Sequence, residues 1–302
     1  MQADGNDVAP VTVDEFRISV AETYDVLVRP TADRAYTISA QAEDRTGYAR
    51  GTLAPPPGMA AAIPPMDPRP MRTMTDMGMG GMDHGSMSGM QMDHGSMPGM
   101  DHETMPGMSH GSMQGMAMDH GSMAGMSSME ASPEAKKLQG SVGVDNVAMM
   151  PTERLQTAGE GFPPGRRVLS YADLRAMKPG SDPRPPSHEI TLHLTGNMER
   201  FIWGFDGKKF SEAGPIELKR GDRVRFVLIN DTMMEHPIHL HGLWSELDNG
   251  HGEFRPYKHT INVKPGERLS YLVTADEPGR WAFHCHLLYH METGMFREVH
   301  VA

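Results

Sequence analysis

Apolar and polar positions alternate in short runs that concentrate in the C-terminal third of the chain. Residues 188–195 put Ile190, Leu192 and Leu194 on one side, because successive side chains of a strand point to opposite faces. The same alternation runs through residues 216–230, with Arg220, Gly221 and Asp222 as the turn. Residues 258–263 and 267–274 flank Lys264, Pro265 and Gly266, a strong turn signal. Strands over 280–286 and 296–301 complete the set. Short strands separated by Gly and Pro turns predict an all-β Greek-key sandwich over residues 188–302, long enough for one core. Ser170 predicts the cap of one short helix reaching Arg175. Residues 11–40 also alternate in strand fashion.

Between these regions the pattern stops. Residues 55–70 hold seven prolines and read as a stiff, extended linker. Residues 71–130 contain no Leu, Ile, Val, Phe, Trp or Tyr, yet carry 18 of the 29 methionines and five of the 16 histidines. Without branched or aromatic groups to bury, such a segment cannot offset its ordering entropy. Disorder without metal is therefore expected, and the whole of 54–150 is assigned to a Pro-rich and Met/His-rich disordered linker. Residues 151–187 are assigned to a connecting segment.

Within the linker a seven-residue motif, His-x-x-Met-x-x-Met, occurs five times. Its members are His84, Met87 and Met90; His94, Met97 and Met100; His102, Met105 and Met108; His110, Met113 and Met116; and His120, Met123 and Met126. Thioethers suit Cu(I), and imidazole suits copper in either common oxidation state. A plain spacer has no need of methionine at this density, so Cu(I) capture is the expected role. Residues 71–130 also carry seven acidic side chains against Arg72, which raises the local cation concentration.

The net charge of the whole chain is −11, and its basic residues are scattered, which argues against nucleic acid as a partner. No run approaches 18 apolar residues, so no membrane-spanning helix is expected. The first residues lack the basic and apolar regions of a signal peptide.

The chemistry sits in two clusters. One is His284, Cys285 (the only cysteine), His286, His290 and Met295; the other is His236, His239 and His241. A thiolate, two imidazoles and a weak axial thioether form the ligand set of a blue-copper site. Cys285, His290 and Met295 supply three of these, and the upstream cluster can supply the second histidine. In an extended segment His284 and His286 share the face opposite Cys285, and His239 and His241 likewise fall together. Four histidines can thus converge on a second metal group, reached from Cys285 through its two neighbours.

With these motifs, and with the stretches 197–207 and 230–235, the sequence resembles the multicopper oxidases, most strongly over residues 188–302. The likeness is to the periplasmic oxidases of copper resistance. It implies a cupredoxin, or plastocyanin-like, fold. It also implies a type 1 copper held by His236, Cys285, His290 and Met295, a type 2 copper at His239, and a type 3 pair at His241, His284 and His286. Implied too are copper as cofactor, dioxygen as acceptor, Cu(I) as a plausible substrate and a periplasmic location.

The family's three-copper cluster needs a second set of His-x-His motifs from a first domain. Before residue 188 the only histidines are the five of the repeat, and none forms that motif. The chain therefore reads as the C-terminal part of a longer oxidase whose N-terminal domains it lacks, with 1–53 the strand remnant of a preceding cupredoxin domain. Alone it is expected to hold half the cluster. Sequestration of copper, or electron transfer by a lone type 1 site, are the competing functions. His188, His193 and His300 stand outside both motifs, and His193, on an alternating strand, reads as a structural or surface group. His251 and His259 are secondary copper contacts at most, and Met233 and Met234 read as core-packing or surface residues.

Overall fold

Main-chain hydrogen bonding along residues 188–302 builds two β-sheets stacked as a sandwich, the Greek-key cupredoxin architecture. The computed structural model describes residues 1–79 and 132–302. The Met/His repeat, from His84 to Met126, lies outside the described residues.

One sheet has five strands, in the order Ile216–Leu218, Phe296–Val301, Gly279–Cys285, His236–Leu240 and Thr260–Val263. The other has six, in the order Tyr257–Lys258, Ser245–Leu247, Arg268–Thr274, Arg223–Asn230, His188–Asn197 and Ile202–Phe205. Their inner faces meet in one core. Phe205 stacks on Phe283 at 5.1 Å, and Phe226 stacks on Tyr271 at 5.4 Å. Offset aromatic pairs of this kind add about 0.5–1.5 kcal/mol beyond their area burial. Leu194, Leu228, Val273 and Val299 fill the space between them, all buried.

The run 216–230 does not form a hairpin. Its turn, with Gly221 at φ 86°, carries the chain from one sheet to the other. Ile216–Leu218 pairs in parallel with Phe296–Val301, while Arg223–Asn230 pairs with His188–Asn197 and Arg268–Thr274. The capped segment at Ser170 is a single 3-10 turn, Tyr171–Asp173, in which the Asp173 carboxylate accepts from the Ser170 backbone N–H and hydroxyl. Strand structure within 11–40 is limited to Glu15–Phe16, Tyr24–Asp25 and Tyr36–Gln41. Alternation there outruns pairing, because a strand needs a partner ladder as well as a periodic sequence.

Residues 132–150, expected to fall within the linker, carry secondary structure and buried side chains. Ser132 caps a helix, Pro133–Leu138, by accepting from the Ala135 N–H at 3.0 Å, and Ala135, Val144 and Val147 form a small buried cluster. Asn146 and the Ala148 N–H both bond to Asp231 of the sandwich. Branched apolar residues return after residue 131, which is what permits this packing. At the other end of the linker, buried Asp76 accepts from Arg154 at 2.6 Å. The connecting segment also contributes to the main core, through fully buried Leu155.

The N-terminal residues are stitched to the sandwich by charge. Lys258, fully buried, sits 3.0 Å from Asp4 and 3.1 Å from Glu22. Asp4 also accepts from the backbone N–H groups of His259 and Thr260. Removing one partner of a buried ion pair strands the other charge. Asp4→Ala is therefore expected to lower unfolding stability by about 3 kcal/mol, read from urea titration. A loss below about 0.5 kcal/mol, the ordinary size of a surface substitution, would show that Glu22 alone satisfies Lys258.

Candidate metal centre

Two antiparallel neighbours create the site. Strand His236–Leu240 pairs with Gly279–Cys285 so that Ile238 faces Cys285 and His239 faces His284. Directly opposed residues project to the same side of a sheet. The parity places His236, Ile238 and Cys285 toward the core, and sends His239, His241, His284 and His286 to the opposite face.

On the core side, His236 Nδ1 and His290 Nδ1 each lie 3.7 Å from Cys285 Sγ and 3.2 Å from one another. His290 arrives on a one-turn helix, Leu288–Thr293, which follows the cysteine strand and ends at Gly294 with φ 136°. A Cβ at Gly294 would lie 2.6 Å from the Trp203 carbonyl oxygen, so glycine is required there twice over. The chain then doubles back. The Cys285 N–H donates to the Met295 carbonyl at 3.1 Å, which sets the buried Met295 beside the cysteine.

Burial sets the protonation states. It pushes the Cys285 thiol up to about 12, the His290 imidazole down to about 4, and the His236 imidazole well below its ordinary range. At neutral pH the imidazoles are therefore neutral, with lone pairs free to bind a metal, and the Cys285 thiol would give up its proton on binding one. Soft sulfur, two neutral nitrogens and a buried thioether form a donor set suited to copper.

On the other face the four histidines form an array with ring centroids 4.5–5.7 Å apart for neighbouring members. His241 Nε2 and His284 Nε2 approach to 3.1 Å. The Nδ1–H of His239 donates to the His259 carbonyl at 2.6 Å, and the Nδ1–H of His284 donates to the Cys285 carbonyl at 2.9 Å. Each bond fixes the tautomer and turns Nε2 outward as a metal donor. His284 also stacks on Phe296, at 5.7 Å and 9°. Burial lowers His239 to about 4 and lowers His241 and His284 in the same direction. His241 is exposed, so this face of the array opens to solvent.

The other histidines among the described residues have structural partners. His193 is buried and bonded to Asp231 at 2.8 Å. His251 donates to the Ala172 carbonyl at 2.9 Å, His188 contacts the Ser187 hydroxyl, and His300 lies between Glu217 and Glu298. His259 stands 5.3 Å from His239, ring to ring, but its Nδ1 pairs with Thr260. Met234 packs against the core, and Met233 is exposed.

Two further groups touch the ligands, both within the stretches 197–207 and 230–235. The Trp203 ring stacks on His290 at 4.5 Å and 16°, and the Thr232 hydroxyl lies 2.7 Å from His236 Nε2. The resemblance marks those stretches, but residue type alone assigns neither side chain a role beside a ligand.

Comparison with known proteins agrees with this geometry. Residues 183–302 and residues 1–56 each match a multicopper oxidase family model. Copper resistance protein A of Pseudomonas syringae pv. tomato is 59% identical over 99% of this chain, and the protein of the same name from Escherichia coli is 55% identical over 99%. In each case the match covers 51% of the relative. The chain thus spans about half the length of the curated relatives it matches.

Proposed function

The chain belongs to the multicopper oxidase family, and we propose from that premise that it carries the electron-accepting copper site and half of the oxygen-reducing site of a copper-resistance oxidase. His236, Cys285, His290 and Met295 hold the type 1 ion. His239 serves the type 2 ion, and His241, His284 and His286 serve the type 3 pair. Bound copper would supply one-electron chemistry, with Cu(I) as a fitting reductant and dioxygen as the acceptor; His236, Cys285, His290 and Met295 would hold the ion on the core side, and His239, His241, His284 and His286 the ions on the other face. The chain's own residues position and connect these sites. Cys285 is covalently flanked by His284 and His286, so the two faces of one strand are joined through three consecutive residues.

The observation that carries the reading is the convergence of Cys285, His236 and His290, whose donor atoms all lie within 4.8 Å of one another in the interior. The test is titration of the purified chain with Cu(II), followed by visible absorption and metal analysis. An intense blue band at one equivalent is expected, together with weakly coloured copper at the histidine face. Cu(II) uptake without the blue band would refute the assignment.

Two further elements belong to this reading. Residues 1–53 are the end of a preceding cupredoxin domain, supported by the family match over 1–56. The protein acts in the periplasm, supported by the likeness to copper resistance proteins. The type 1 set is complete within the chain, which favours single-site electron transfer as what the chain does unaided.

The repeat from His84 to Met126 captures Cu(I). Replacing its methionines with leucine keeps length and apolarity while removing the soft sulfur donors. The number of Cu(I) ions bound, measured by competition with a chromogenic chelator, is expected to fall to those held by the folded site. An unchanged number would leave the repeat a spacer.

A further inference from the structure

Asn230 ends strand Arg223–Asn230 as a fully buried side chain whose hydrogen-bonding atoms are spoken for. Its Nδ2 donates to the carbonyls of Met234, at 2.7 Å, and Val263, at 2.9 Å. Those two carbonyls fix the amide orientation, because only the nitrogen can face them. Oδ1 is thereby turned toward Thr232 and accepts from both its N–H and its hydroxyl, each at 2.9 Å. The Thr232 hydroxyl has a single proton, and it faces two acceptors, Oδ1 at 2.9 Å and the Met234 carbonyl at 3.2 Å, while one of its lone pairs accepts from the Met234 N–H at 3.2 Å. What the hydroxyl offers His236 Nε2 across 2.7 Å is therefore a lone pair. His236 must then carry its proton on Nε2, which leaves the Nδ1 lone pair aimed at Cys285 Sγ and His290.

We infer that Thr232, oriented by Asn230, is a positioning residue that fixes the tautomer and ring orientation of His236 and strengthens it as a Cu(II) donor. This rests on reading His236, Cys285 and His290 as the type 1 site. An acceptor behind an imidazole N–H makes the far nitrogen a better donor, and losing such a partner typically weakens metal binding by about 10–100-fold. Donation matters more to the oxidised ion than to the reduced one, so the effect on Cu(II) exceeds that on Cu(I).

The test compares Thr232→Val, which keeps the shape and removes the hydroxyl, with Thr232→Ser, which restores it. The full chain is loaded with copper and read by Cu(II) affinity, by the position of the blue band and by reduction potential. The valine variant is expected to bind Cu(II) about tenfold more weakly or worse. A tenfold change confined to Cu(II) raises the potential by about 59 mV for one electron, and serine returns both values toward those of the unaltered chain. A valine variant with unchanged affinity and potential overturns the inference while leaving the type 1 site intact. A colourless unaltered chain removes the type 1 reading and this inference with it. A second readout needs no substitution. In the Cu(I)-loaded chain, nitrogen-correlated NMR is expected to show an exchange-protected Nε2 proton on His236, and a proton on Nδ1 overturns the assignment.

Discussion

Cys285→Ser is expected to erase the blue band entirely while leaving the fold in place. The band arises from charge transfer between a thiolate and copper, and an alcohol oxygen cannot supply it. Serine occupies nearly the same volume, and the strand around it is held by pairs that do not involve the sulfur, among them Ile238 with residue 285 and Phe283 with Arg297. The circular dichroism of the variant should therefore match that of the parent, and any copper it takes up at His236 and His290 should be pale. Residual intense blue colour would mean that another group supplies the chromophore, and no other cysteine exists in the chain. Met295→Leu gives a graded counterpart. It should keep the band and raise the reduction potential, because the thioether donates weakly to the oxidised ion. A large fall in potential would count against Met295 as the axial ligand.

The second large effect concerns oxygen. His239, His241, His284 and His286 present their array on an open face, and His241 at its edge is exposed. On the proposed assignment, these four donors are half of what a three-ion cluster takes. Oxygen uptake by the isolated, copper-loaded chain with an excess of reductant is expected to be no faster than that of free copper. Adding the N-terminal half of a relative such as copper resistance protein A is expected to restore turnover, with saturation as the two halves pair. Fast oxygen consumption by the isolated chain would instead mean that the array is completed by a second copy. Light scattering under assay conditions would reveal such a dimer.

Much of this site was legible in the sequence because its logic is local. His284, Cys285 and His286 declare two opposite faces by alternation alone, and the turn at Lys264–Gly266 is written in Pro and Gly. What stayed hidden depends on long-range register or on ordinary residue types. That Ile238 stands opposite Cys285, and so puts His236 on the cysteine's side, is a property of pairing between distant strands. Thr232 and Trp203 act on His236 and His290 through one hydroxyl and one ring face, and neither residue is unusual in a β-sandwich. Asp4 and Lys258 come from opposite ends of the chain, and nothing near either predicts that they meet in the interior. The order of residues 132–150 has a different origin: Leu138, Val144 and Val147 stand next to a methionine-rich stretch in sequence but have partners to pack against in space.

The pairing of His236–Leu240 with Gly279–Cys285 has a consequence for how such a protein tolerates change over generations. Both faces of the site are read from the same two-residue rhythm, so sliding either strand by one position exchanges inward and outward side chains. A single-codon deletion between residues 237 and 239 would therefore shift His236 or its neighbours off their faces and disable the thiolate centre and the histidine array together. The histidine motif and the cysteine motif are thus inherited as one frame.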